Sequence, residues 1–198
     1  ASIWSRARYT KLDGVETEAD CIVELDGHRL FLEVKAGRLP DTSPSIEPWS
    51  HIDSLKDLVR MPVAQARRIA ETIDAHGHLE LRDENNIPIV TMLKWPGQRT
   101  LCAVTVDNLT DISPTIQHFP HVKIDPQLEP VWIVSLDDLR VAADVFESPV
   151  QLFHFLQERK RAFHIANVQM TDELEHFAAY LMHNAYGLWV QDCGLAMR

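Results

Sequence analysis

The chain is poor in cysteine: Cys21, Cys102 and Cys193 lie far apart and are odd in number. No Cys-x-x-Cys pair is present, so neither a disulfide framework nor a thiolate zinc site is indicated, and a reducing cytoplasm is the expected compartment. No apolar run approaches the length of a membrane span, no secretory leader pattern is visible, and no membrane partner is expected. Internal repeats and low-complexity segments are also lacking. The first residue is Ala1 rather than methionine, which reads as a processed or excised piece. Positive charge is scarce: 19 Lys and Arg stand against 29 Asp and Glu, for a net charge of −10. That balance argues against a tight, sequence-blind coat on duplex nucleic acid, while a local basic track remains compatible with it. His76, His78, His118 and His121 have no cysteine near them and form no recognised zinc pattern.

What is present is an ordinary globular composition, 45% hydrophobic and 24% charged over 198 residues. That length supports one domain with a sizeable core, or one domain with a helical appendage. Its most informative stretch runs from Glu16 to Gly37. Asp20 to Leu25 and Leu30 to Lys35 read as two strands, and Asp26-Gly27 between them accepts the positive φ of a tight hairpin. Alternation puts Phe31, Glu33 and Lys35 on one face of the second strand and Leu30, Leu32 and Val34 on the other. In the first strand Asp20 shares a face with Ile22 and Glu24. If the hairpin pairs Asp20 beside Glu33, two carboxylates converge with Lys35 one step along the strand, about 6–7 Å from Glu33.

Two such carboxylates suit Mg²⁺ or Mn²⁺, hard cations that take oxygen ligands and keep several waters. A metal there polarises a phosphodiester and helps make a hydroxide, while Lys35 orients the water or stabilises the transition state. Asp20 followed thirteen residues later by Glu33-Val34-Lys35 at a strand end resembles the PD-(D/E)XK nuclease superfamily, the restriction-endonuclease-like fold. The resemblance covers roughly the first half of the chain, and Ala19 stands where that motif has proline. It implies an α-β-β-β-α-β core, metal ligation by Asp20 and Glu33 with the Val34 carbonyl, and a catalytic role for Lys35. The first helix of that core looks absent or shortened, since only nineteen residues precede Asp20 and Asp13-Gly14 breaks them. Glu18 is the candidate to replace its carboxylate. The resemblance also implies a Gln near the site on the following helix, a place that Gln65 fills. The competing reading of the same residues is a surface hairpin in which Lys35 makes a cross-strand ion pair.

Elsewhere, Trp4, Arg6 and Arg8 alternate as on a basic edge strand. Ala36 to Ser50, rich in proline, reads as a loop leaving the site, either a lid or a connector. His51 to His76 reads as helix, interrupted or entered at Pro62, with Val63, Ala66, Ile69, Ala70 and Ile73 as its apolar stripe. Arg60, Arg67 and Arg68 on this helix are candidate phosphate contacts, with solvated helix charge as the alternative. Strands are expected at Ile87 to Leu93, Leu101 to Val106 and Val131 to Ser135, with a Pro96-Gly97 turn and a short helix at Thr115 to Phe119. Ser135 caps a helix to about Phe146, Ser148-Pro149 opens another ending at Arg159 to Arg161, and Thr171-Asp-Glu-Leu starts a last one with its exit near Gly187.

The expected architecture is α/β: a restriction-endonuclease-like mixed central sheet flanked by helices, with residues 1–136 as the nuclease-like core and 137–198 as a helical C-terminal extension packed on it. The expected function is Mg²⁺- or Mn²⁺-dependent hydrolysis of nucleic acid, most naturally DNA, by a homodimer or beside partner domains of a larger protein. The rival is a non-catalytic binding or scaffolding module that keeps the nuclease fold.

Overall fold

A computed structural model describes residues 1–94, 97–109, 112, 114, 119–125, 127–163, 165 and 170–196, with side chains described up to residue 192. The expected helix at Thr115 to Phe119, apart from Phe119 itself, lies outside the described residues, as do His118, Pro96 and the Cys193 side chain. A seven-stranded mixed sheet in the order β5-β4-β1-β2-β3-β6-β7 forms the middle layer. Strands β1 (Ser2–Thr10), β2 (Glu16–Leu25) and β3 (His28–Lys35) make an antiparallel meander. The hairpin β4 (His78–Arg82) and β5 (Pro88–Leu93) adds to the β1 side. On the other side β6 (Arg99–Thr105) and β7 (Val131–Ser135) run parallel to β3.

Helices cover both faces. On one, α1 (Pro48–Leu55), a π-helical turn (Lys56–Arg60) and α2 (Met61–His76) form one rod. Its Leu58, Val63, Ala66, Ile69 and Ile73 pack on Ile22, Phe31, Leu101, Ala103 and Ile133 of the sheet. Gly77 at φ 75° ends the rod by closing the last turn onto the Ile73 carbonyl. On the opposite face, α3 (Leu136–Val145), α4 (Pro149–Ala162), α5 (Glu173–Met182) and α6 (Tyr186–Ala196) meet Leu30, Leu32, Cys102, Val104, Trp132 and Val134. Strands covered on both sides read as unbroken apolar runs, which is the pattern of β6 and β7. The C-terminal helices are therefore one of the layers that bury the sheet, and they share the core of residues 1–136.

Several local expectations change. β1 is an interior strand, bonded to β2 on one side and β4 on the other, so its basic residues do not guard an edge. β4 begins two residues after the helix ends. The helix from Glu173 stops at Met182, and Gly187 lies inside α6, where a side chain would meet the Glu158 carbonyl and carboxylate at 2.8 Å. Its bare backbone lets the Gly187 N–H donate to Glu158 at 3.0 Å and lock α6 onto α4. Arg159 pairs with Glu173 at 2.7 Å deep in this layer, and Lys160 pairs with Glu129, so the basic run serves packing.

Candidate active site

Asp26 and Gly27 take φ 45° and 81°, and this tight turn sets the β2–β3 register at Leu25↔His28 through Cys21↔Leu32. One more step in that register brings Asp20 opposite Glu33, and there the ladder opens. Asp20 uses its side chain in place of main-chain pairing: Oδ2 accepts the Val34 N–H at 2.7 Å. The β1–β2 ladder is also interrupted at this level, between Ser5↔Cys21 and Ala7↔Ala19, where Arg6 sits at φ 54°. Both strands change phase at the break. Trp4 and Ala7, and likewise Ala19 and Ile22, face the same core although they are three residues apart. The simple alternation that put Asp20 on one face with Ile22 and Glu24 therefore does not hold. Positive φ in a non-glycine residue costs of order 1–3 kcal/mol, and such strain concentrates at functional positions.

Glu33 is a buried acid. It is 1% exposed, and neither carboxylate oxygen has a hydrogen-bond partner of normal geometry. Burial, then the neighbouring Asp20 charge, push its pKa up to about 8 from 4.5, while the Asp20 main-chain N–H close by and Arg68 on α2 oppose the rise. Tyr9 on β1 is buried beside it, and burial and the Glu33 charge raise its phenol in turn, again against Arg68. Buried unpaired carboxyls are rare because each loses its hydration without replacement. Lys35, half-buried two residues on, makes no hydrogen bond through its side chain and no ion pair among the described residues. The alternative of a surface hairpin with an ion-paired lysine therefore fails on two counts, since β3 is a central strand and Lys35 has no such partner among the described residues.

The other candidates separate. Glu18 is engaged by Arg6 at 3.2 Å. Gln65 is half-buried on α2 one turn before Arg68, and no hydrogen bond joins it to Asp20 or Glu33. Arg67 is buried and donates to the main-chain carbonyls of Asp125 and Glu129 at 3.0–3.2 Å. Its Nε and Nη2 are spent on holding that loop. Arg60 is exposed at the end of the π-helical turn. The loop after Lys35 is tethered: Leu39 N–H donates to Asp107 at 2.7 Å, Val106 N–H to the Lys35 carbonyl at 3.1 Å, and His51 bonds the Thr42 carbonyl at 2.6 Å.

No family model, curated protein or solved structure matches this chain. Among the described residues, no group of three or more His, Cys, Asp or Glu side chains is arranged to hold a metal ion. Two adjacent carboxylates, one of them unpartnered and driven toward protonation by the other, still fit a hard divalent cation that fills its remaining positions with water and a main-chain carbonyl. A cation there would offset the Asp20 charge and compensate the hydration that Glu33 loses on burial. Sequence reasoning missed Tyr9 and the closeness of Arg68 to Glu33. The apolar partners of Tyr9, at Ala7 and beyond, were the available signal for the first. Nothing local signals the second. No described helix is long and apolar enough to cross a membrane.

Proposed function

We propose that this protein is a metal-dependent phosphodiesterase acting on nucleic acid, with Asp20, Glu33 and Lys35 as its catalytic residues and Mg²⁺ or Mn²⁺ as its cofactor. The observation that carries the reading is the buried, unpartnered Glu33 carboxyl beside Asp20 at the point where the β2–β3 ladder opens. When bound there, a divalent cation supplies charge neutralisation of the phosphodiester and a more acidic water. Asp20 and Glu33 hold it, with the Val34 carbonyl as a further oxygen ligand. The Asp20 bond to Val34 N–H fixes that carboxylate and the β3 main chain in one orientation. Lys35, free of ion pairs among the described residues, is available to orient the attacking water or to meet charge that develops on the phosphoryl oxygens.

The topology supports a restriction-endonuclease-like fold as well. The meander β1-β2-β3, the helix α2 and the parallel strand β6 follow the order that this fold requires, with the hairpin β4–β5 inserted between α2 and β6. DNA is the preferred substrate class and the cytoplasm the preferred compartment. The test is cleavage of labelled DNA and RNA with Mg²⁺ or Mn²⁺ and with EDTA, by the parent chain and by Asp20→Asn. Metal-dependent cleavage lost in Asp20→Asn supports the reading. Undiminished cleavage by that variant, or none by the parent with either metal, overturns it.

A further inference from the structure

The side of α2 that carries Arg68 borders a groove of about 300 Å³ facing Lys123, Ile124, Asp125 and Leu128. Its charged lining is Arg60, Arg67, Arg68 and Lys123 against Glu71 and Asp125, a local excess of positive charge in a chain of net charge −10. Arg67 is committed to the carbonyls of Asp125 and Glu129 and so fixes the opposite wall in place. The side chains of Arg60, Arg68 and Lys123 make no hydrogen bond and no close ion pair among the described residues. Lys123 is presented from a left-handed backbone at φ 56°. The floor between these cations is apolar, made by Val63, Ala64, Ile124 and Leu128. Arg68 connects the two features, because it lines the groove and also acts on the buried Glu33. Nearby, Trp49 is 68% exposed and sets its ring edge-on to His121, two residues before Lys123.

We propose that this groove binds a single strand of nucleic acid, with Arg60, Arg68 and Lys123 on successive phosphates and the sugars and bases against the apolar floor. The binding claim stands on the groove; that the strand is then delivered to Glu33 rests on the phosphodiesterase reading. A duplex keeps its bases stacked inside and presents a dense double row of phosphates, so it has no use for an apolar floor and meets more repulsion from a chain of net charge −10. An unpaired strand offers one row of charge and exposed faces that apolar and aromatic groups cover. Arg68 acts as a positioning residue, and its charge is shared between the strand and Glu33.

The experiment is fluorescence anisotropy of labelled oligothymidylate and of a blunt duplex, in EDTA so that nothing is cut, over a range of salt concentrations. Three neutralised phosphates on a single strand predict a slope of log K against log salt of about −2. Arg60→Ala and Lys123→Ala, both at exposed positions, each reduce that slope by about 0.7 and leave thermal unfolding unchanged. Glu33→Gln keeps the binding and its slope. Tighter binding to the duplex, no measurable binding to the single strand, or a slope indifferent to both groove variants overturns the proposal. The two readings fail separately. Binding with the predicted slope but no cleavage under any metal defeats the catalytic reading alone, and cleavage that ignores Arg60 and Lys123 defeats the groove alone.

Discussion

Replacing Glu33 with Gln should stabilise the metal-free protein in base and have the opposite or no effect in acid. The carboxyl is buried, both oxygens lack partners, and its pKa rises from 4.5 to about 8. A carboxyl that binds its proton more tightly folded than unfolded is no burden below pH 4.5, where both states are protonated. Between 4.5 and about 8 the folded state holds more protons than the unfolded one, so this group's contribution falls as pH rises, and it levels off above that window. Its full span is roughly 5 kcal/mol, from 1.36 kcal/mol per pH unit. Glutamine of the same shape carries no charge and removes the pH dependence, at a cost of about 1–3 kcal/mol for a buried amide without partners. Urea unfolding in EDTA should therefore show Glu33→Gln level with or below the parent near pH 4, and above it by roughly 2–4 kcal/mol at pH 9. Taking the difference between the two proteins cancels the acid sensitivity of carboxylates held low by partners, such as Asp74 beside Arg99. A variant less stable than the parent at pH 9 would refute the claim that Glu33 is a buried, uncompensated acid.

Lys35→Ala should lower the cleavage rate by roughly 10²–10³, the scale for one lost electrostatic partner, while Mn²⁺ affinity holds or improves; Lys35→Arg should not restore the rate, and parallel rate and affinity measurements check both. Gly187→Ala should destabilise the chain by about 1–3 kcal/mol in urea unfolding, because the added carbon meets the Glu158 carbonyl at 2.8 Å. Arg159→Met should cost about 3–5 kcal/mol by the same measurement, since it leaves Glu173 charged, buried and bonded only to the Trp132 indole N–H.

The hairpin around Asp20 and Glu33 was readable because two local signals agree there: Asp26-Gly27 for the turn, and alternation in β3 for the faces. β6 and β7 were readable because full burial leaves continuous apolar runs. β4 escaped notice because it has five residues, alternates Leu79 and Leu81 with Glu80 and Arg82, and starts directly after the helix exit. The phase change in β1 and β2 is invisible in sequence, as Arg6 carries no mark of a positive φ. α6 was missed because Gly187 reads as a helix stop, and its actual reason is Glu158, 29 residues away. Arg67 and Arg68 are neighbours in sequence yet about 100° apart around the helix. That angle sends one to the carbonyls of a loop and the other to the Glu33 site, and only the packing of α2 on the sheet decides which.

The most direct test of the site is calorimetric titration of Mn²⁺ into the protein in buffers of different ionisation enthalpy, which counts protons released on binding. Because Glu33 is held largely protonated near pH 6.5 and must ionise to act as a ligand, about one proton should leave per ion bound, falling toward none at pH 9. Glu33→Gln should bind weakly and release none. Equal Mn²⁺ affinity in parent and variant, or binding at pH 6.5 without proton release, would contradict the assignment of Asp20 and Glu33 as the metal-holding pair.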